Sequence, residues 1–409
     1  MPVKLHRNLA LGIISGLEAI FIEHQPSKYV LSKLLKSDRR WGSRDRKLVA
    51  KAILDIIREK RRWAYSCGTT TQTTSDFWKW LGAWMLLSEI PLPDWTELSE
   101  LEPEAIKQAY ADCSKERKLH YSLPDWLDEK GLETFGATVW QKEVEAIHQP
   151  ASLVLRINRL ITTPEKLQKL LQQKHQIESV LLPEYPDALL LKKHQKLEQL
   201  SLYQEGCFEI QDANSQKVAP FVQAAPGQVV IDACAGGGGK SLHLAALMNN
   251  LGKLYCLDSG QQKLERLQER CKKNGVTLCE LESPDNKKFF ERMQRQADRV
   301  LIDAPCSGLG VLKRNPIAKW QMQPEKIKAL EQLQLELLCK HAPLVKAGGA
   351  LIYATCSIFP NENRAQIDRF LATPEGKTFT LDEDITLFSH QSGFDGFYMA
   401  RLLNIAVNK

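Results

Sequence analysis

From residue 1 to about residue 140, apolar positions recur at helical spacing: Leu9, Ile13, Leu17 and Phe21 first, then Val49, Ile53, Ile56 and Ile57. Pro26, Gly42-Ser43, Gly68, Pro91, Pro93 and Pro124 interrupt the pattern, which predicts a domain of helices alone over 1–140. From about residue 151 the texture changes. Leu153 to Asn158 alternates as a strand does, Pro164 to Gln173 repeats as a short helix, and Val180 to Leu182 and Ala188 to Leu191 are further strands. A small α+β module over 151–202 is the natural reading.

The third stretch, 203–409, has a different rhythm. Val229-Val230-Ile231-Asp232 is a buried-strand run that feeds Ala233-Cys234-Ala235-Gly236-Gly237-Gly238-Gly239-Lys240-Ser241 and then the helical pattern of Leu242 to Met248. Leu254 to Asp258 is a second strand ending in an acid, and Lys263 to Lys273 a second helix. Val300 to Ile302 and Ala350 to Tyr353 repeat the theme, separated by a long amphipathic helix from Pro324 to Leu344. Strands alternating with helices predict a mostly parallel, Rossmann-like α/β sheet covered on both faces.

Composition changes this picture little. The 409 residues allow two or three domains, and 43% hydrophobic with 25% charged is ordinary for a globular chain. Eight of the nine tryptophans lie in the helical part, which argues for a core of its own. The net charge of +6 permits a polyanionic partner without requiring one. Local charge says more. Between Leu31 and Arg62 there are twelve Lys or Arg against four Asp or Glu. The basic face around Arg39, Arg40, Arg44, Arg46, Lys47 and Arg58 is either a solvated surface or a phosphate-binding one.

The ten cysteines have no CxxC spacing, so neither a zinc ribbon nor a disulfide scaffold is indicated, and no metal is expected. Free thiols fit a reducing cytoplasm. Glu18 breaks the apolar run from Leu9 to Ile22, against a signal peptide, and the richest apolar window, Phe77 to Ile90, is too short to span a bilayer.

Candidate chemistry lies at the strand ends. A glycine-rich turn between strand and helix admits close backbone approach to a ligand. The Walker pattern would need glycine at Cys234 and the dinucleotide pattern glycine or alanine at Ser241, so neither fits. Asp258 stands where a carboxylate receives ribose hydroxyls, or it caps the following helix. Asp303-Ala304-Pro305-Cys306-Ser307-Gly308 and Ala354-Thr355-Cys356-Ser357 each put a cysteine just past a strand's carboxyl end. An isolated cysteine there is more often core packing than chemistry, but two in equivalent positions beside a cofactor loop shift that balance. A zinc deaminase would need a second cysteine at Leu309 and is not supported.

These motifs together, with Asp232-Ala233-Cys234-Ala235, Gly238-Gly239-Lys240 and Glu362-Asn363, resemble the RsmB-like (NSUN) family of S-adenosylmethionine-dependent RNA cytosine-5 methyltransferases. Arg156 and Asn158, Gln211-Asp212 with Ser215-Gln216, Arg314-Asn315-Pro316 with Trp320, and Asp395-Gly396-Phe397 are similar to family landmarks in the same order. Ser43-Arg44-Asp45-Arg46 resembles the NusB-like helical domain of bacterial members.

The resemblance implies a Rossmann-like methyltransferase domain preceded by a small α+β module and an all-helical NusB-like domain. It implies Cys356 as nucleophile on cytosine carbon 6, Cys306 in proton removal and product release, and Asp303 on the cytosine edge. S-adenosylmethionine would lie against Cys234, Ala235, Gly236, Gly237, Gly238, Gly239 and Lys240. Asp258 would take its ribose, Asp303 would border it, and Asp285, or else Glu282, would lie near the adenine. RNA would meet Arg44, Arg46, Lys47, Arg156 and Asn158. Many members carry proline where this chain has Gly237. Ribosomal RNA is the expected substrate and a monomer the expected state. Transfer RNA, or a non-catalytic RNA-binding or assembly factor of the same fold, are the alternatives.

Overall fold

The computed structural model describes residues 4–193 and 195–406. They divide into two compact units, the first running to His148 and including Asn315–Gln321, the second comprising Gln149–Arg314 and the chain from Met322 onward. The first unit is helical, with its longer helices at Arg7–Phe21, Ser27–Ser37, Ser43–Arg58, Thr74–Leu87, Pro103–Asp112 and Asp125–His148. Leu9, Ile13, Leu17, Ile53, Ile56, Phe77 and Trp80 are all buried in one core, as the helical spacing requires. Thr73 starts the Trp-rich helix by exchanging hydrogen bonds with Asp76. That helix, Thr74–Leu87, holds all but the last three residues of the apolar window Phe77–Ile90. Among the described residues no helix is long and apolar enough to cross a membrane.

Two boundaries differ from those the sequence suggests. The last helix of the first unit runs to His148, past residue 140, with a break at Gly136 (φ 73°). The segment Asn315–Gln321, which lies within the third stretch of sequence, 203–409, belongs to the helical unit. Trp320 donates to the Ile57 carbonyl at 2.7 Å, and Lys319 donates to those of Arg58 (2.8 Å) and Tyr121 (3.2 Å).

The second unit contains two sheets. Strands β1 (Val154–Ile157), β2 (Ser179–Leu181), β3 (Ala188–Leu191) and β4 (Phe208–Ile210) form an antiparallel sheet in the order β2-β3-β1-β4, with the helix Pro164–His175 between β1 and β2. β4 lies beyond the 202/203 boundary, so the small module recruits a strand from the next stretch of chain.

The large sheet comprises β5 (Val229–Asp232), β6 (Lys253–Leu257), β7 (Cys279–Glu282), β8 (Ala297–Asp303), β9 (Val345–Thr355), β10 (Phe379–Leu387) and β11 (Phe397–Asn404), in the order β10-β11-β9-β8-β5-β6-β7. β7, β6, β5, β8 and β9 are parallel, and β11 runs antiparallel to both β9 and β10. Alternate residues sort to opposite faces. Val230, Leu254, Cys256, Leu301 and Ile352 pack with Leu244 and Leu267 on one side. Ile231, Tyr255, Val300, Ile302 and Leu351 pack with Phe289, Leu338 and Phe370 on the other. This is a Rossmann-like mixed sheet wound on both faces. β5 has β6 on one side and β8 on the other, so the strand order reverses there and a crevice opens at the carboxyl ends of β5 and β8.

Candidate active site

The glycine loop leaves β5 at that crevice. Gly236 (φ 55°) and Gly238 (φ 85°) occupy the left-handed region, and a Cβ on Gly238 would lie 2.1 Å from Leu267 Cδ1, so glycine is required there. At Gly237 the nearest atom to an added Cβ is Arg270 Nη1 at 3.5 Å, and at Gly239 nothing lies within 4 Å. The loop is thus an open cradle at those two positions.

Asp258, just past β6, accepts from the Gly236 N–H at 3.0 Å and from the Gly260 N–H at 2.8 Å, and pairs with Lys263 at 3.1 Å. It therefore both shapes the cradle and caps the turn into the helix Gln261–Lys273. Asp232 is buried and accepts from Ser241 Oγ at 2.7 Å, and burial pushes its pKa up to about 6. Burial likewise raises the Cys234 thiol, with Asp232 and Asp303 adding to the effect. Glu282 ends β7, half-buried and bonded by Asn286 Nδ2 at 2.9 Å, whereas Asp285 sits exposed in the turn beyond it.

The two cysteines come together because their strands are neighbours. Asp303 at the end of β8 pairs in register with Ala354 of β9, so Cys306 and Cys356 leave the sheet side by side. Their sulfurs are 3.2 Å apart, and the Cys356 N–H also approaches Cys306 Sγ at 3.3 Å. The Cys356 contact and burial hold the Cys306 thiol well above its ordinary pKa. Lys240 donates to Asp303 Oδ2 at 2.6 Å. Burial works against its charge, but Asp303, with smaller help from Cys356, raises the Lys240 pKa. A carboxylate, an ammonium and two thiols therefore share one end of the crevice.

Residues to which the sequence assigned no role, several of them among the family landmarks, hold these groups in place. Glu362, wholly buried, accepts from the Ser307 N–H (2.8 Å) and Oγ (2.5 Å) and from Gln334 Nε2 (3.2 Å), which fixes the turn after Cys306. Thr355 Oγ1 donates to Asn363 Oδ1 at 2.6 Å, and Asn363 returns a bond to the Ser357 carbonyl at 3.0 Å, fixing the turn that carries Cys356. The Gly310 N–H donates to the Cys356 carbonyl at 2.9 Å, and the Gly396 N–H to the Gly310 carbonyl at 2.7 Å. Arg314 bridges Asp212 (2.9 Å) and Asp395 (2.7 Å) behind that chain.

The expected RNA contacts divide. Arg39, Arg44 and Lys47 are exposed on the helical unit and Arg46 is half-buried. Arg40 is exposed but paired with Asp38 at 2.7 Å, and burial lowers the pKa of Arg58, so Arg58 does not belong to an open basic face. Arg156 and Asn158 require a correction: they are 3% and 7% exposed. Arg156 bonds Gln211 Oε1 at 2.5 Å and the Gly239 carbonyl, and Asn158 bonds the carbonyls of Gly206 (3.0 Å) and Asn274 (2.9 Å). Arg156 joins the small sheet to the glycine loop and Asn158 joins it to the end of the helix Gln261–Lys273, so neither side chain is open to RNA. Among the described residues no cluster of His, Cys, Asp and Glu is placed to hold a metal ion.

A family model described as 16S rRNA methyltransferase RsmB/F matches residues 219–403, and one for the RsmF/B-like ferredoxin-like domain matches residues 123–198. A probable ribosomal RNA small subunit methyltransferase B of Synechocystis sp. is 35% identical over 298 residues, covering 69% of this chain and 67% of its own. Ribosomal RNA small subunit methyltransferase B of Shewanella oneidensis is 36% identical over 294 residues, covering 70% and 68%. The crystal structure of PH0851 superposes with a TM-score of 0.81 at 25% identity, over 98% of this chain and all of that one. A methyltransferase homologue from Pyrococcus horikoshii matches in fold, with a TM-score of 0.61 at 24% identity, over 70% of this chain and 96% of its own. With its Rossmann-like sheet, its small α+β sheet and the two cysteines at the switch crevice, the chain belongs to the RsmB/F family of methyltransferases.

Proposed function

We propose that this protein methylates carbon 5 of a cytosine in small-subunit ribosomal RNA, using S-adenosylmethionine and a covalent Cys356–cytosine intermediate. The observation that carries the reading is the contact between Cys306 and Cys356 beside the Lys240–Asp303 pair. Methylation of an exocyclic amine needs no thiol, whereas carbon 5 of cytosine is a poor nucleophile until a thiolate adds at carbon 6. The curated relatives' names supply the RNA class.

The cradle fits the cofactor: its carbons at Gly237 and Gly239 are open, and Asp258 stands at the next strand end. When bound, S-adenosylmethionine supplies an electrophilic methyl group. The loop Cys234–Lys240 and Asp258 hold it, with Glu282, at the end of β7, the better-placed acid for the adenine side than exposed Asp285. Cys356 adds its sulfur to carbon 6, which makes carbon 5 nucleophilic. After methyl transfer the carbon 5 proton passes to a base, the role given to the Cys306 sulfur, and the electron pair left behind re-forms the carbon 5–carbon 6 double bond as the carbon–sulfur bond breaks and expels the Cys356 thiolate. Lys240 lies within electrostatic reach of Cys356, which is among the groups that raise the Lys240 pKa. Asp303 receives the exocyclic edge of the base and stabilises charge as it develops in the ring. The base must leave its stack to arrive there. Ten cysteines, all free thiols, suit a reducing cytoplasm.

The test is mapping of 5-methylcytosine in ribosomal RNA, by bisulfite sequencing or mass spectrometry, from cells with and without this protein. One site lost from small-subunit RNA is the expected result. An unchanged map would sink the reading.

A further inference from the structure

Arg156 on β1 and Glu209 on β4 face each other across one rung of the small sheet, and both are buried, at 3% and 4% exposure. Two arms reach from that rung to the glycine loop. Arg156 Nη1 donates directly to the Gly239 carbonyl. Glu209 Oε2 accepts from Arg270 Nη2 at 3.0 Å, and Nη1 of the same guanidinium donates to the Gly237 carbonyl. A planar guanidinium can serve a carboxylate and a carbonyl together without changing shape. Glu209 is itself pinned, its Oε1 accepting from Asn274 Nδ2 at 2.7 Å and pairing with Lys273 at 3.0 Å.

The loop needs such holding. Four consecutive glycines have more backbone freedom to lose than any other sequence of that length. Side-chain packing supplies little at Gly237 and Gly239, where an added Cβ would meet nothing closer than 3.5 Å. The restraints there are hydrogen bonds on the backbone carbonyls, and both lead back to a single rung of another sheet.

We propose that Arg156, Glu209 and Arg270 are positioning residues for the methyl donor. They hold the carbonyls of Gly237 and Gly239 and so keep the loop in its binding shape before the donor arrives. This rests on the loop being the S-adenosylmethionine site. Pre-ordering a loop lowers the entropy lost on binding, so the device acts on donor affinity and leaves the chemical step alone.

The experiment is calorimetry with S-adenosylmethionine, together with steady-state kinetics on small-subunit RNA, for the full chain and three variants. Arg270→Ala should raise the donor Kd and KM about tenfold, the worth of one charge-assisted hydrogen bond, with kcat within about twofold. Glu209→Gln, which keeps the size of the side chain and its Asn274 contact, should shift both the same way by a smaller factor. Adding Gly237→Ala to Arg270→Ala should recover part of the affinity by removing disorder from the free loop, a rescue that repair of general stability would not confine to KM. Unchanged donor affinity in Arg270→Ala and Glu209→Gln overturns the proposal, as does a fall in kcat with KM unmoved. If Arg270→Ala does not fold, Glu209→Gln decides alone. Failure of the wild-type chain to bind S-adenosylmethionine overturns the functional reading itself, and the proposal with it.

Discussion

Cys306 Sγ and Cys356 Sγ are 3.2 Å apart although fifty residues separate them in the chain. The contact exists because β8 and β9 are adjacent and parallel with Asp303 opposite Ala354, so the next few residues of each strand emerge at the same edge. The contact itself, and then burial, raise the Cys306 thiol well above its ordinary pKa. Either sulfur can donate to the other, and the Cys356 N–H also points at Cys306 Sγ, at 3.3 Å.

The two thiols are predicted to fail differently. Cys356→Ala should reduce methyl transfer by about 10³-fold or more. Cys306→Ala should accumulate a covalent protein–RNA adduct in the presence of donor, visible as a shifted band on denaturing gels, because addition proceeds and release stalls. Free turnover by Cys306→Ala would remove its assigned role.

Gly310 is a steric contact point for the same site. A Cβ there would lie 2.3 Å from the Gly396 carbonyl oxygen and 2.8 Å from that of Cys356, both backbone atoms. Gly310→Ala is predicted to cost about 1–3 kcal/mol of stability in denaturant titration. It should also depress methyl transfer at temperatures where the variant is fully folded, because Cys356 is displaced. Wild-type turnover in the folded variant would show that the contact does not set the cysteine's position.

The Asp395 carboxyl is pushed up to about 7, first by burial and then by Asp212. Its folded pKa lies above the ordinary value, so the folded state holds the proton more tightly than the unfolded chain. That stability is fully present below about pH 4 and is lost as pH rises through about 7. Asp395→Asn should flatten this component of the melting temperature between those limits. Equal pH slopes in the two proteins would contradict the assignment.

Arg44 and Lys47 are the exposed basic side chains on the first turns of the helix Ser43–Arg58. Reversing both to glutamate should weaken RNA binding and reduce the salt slope by about one to two units, as expected for losing up to two phosphate contacts. Donor affinity, measured by calorimetry, should not move. RNA affinity equal to wild type would make this an ordinary solvated surface.

The sequence alone was sufficient wherever a local pattern carries the physics. Central strands buried on both faces read as continuous apolar runs, and β5, β6, β8 and β9 were legible as Val229-Val230-Ile231, Leu254 to Leu257, Val300 to Ile302 and Ala350 to Tyr353. Edge strands carry no such run. β10 shows Asp382 and Glu383 to solvent, and β7 alternates Glu280 and Glu282 with apolar residues, so neither stood out.

The glycine loop, Asp303 and both cysteines were legible as motifs, because their spacing from strand ends is local. What only the tertiary structure decided is which strands became neighbours. Adjacency of β8 and β9 brought the two sulfurs together, and pairing of β1 with β4 turned Arg156 from a presumed RNA contact into a buried brace for the Gly239 carbonyl. A charged residue is written the same way whether it faces water or a buried carbonyl. The partner that permits its burial comes from strand pairing between residues about fifty or more apart, and no local periodicity encodes that pairing.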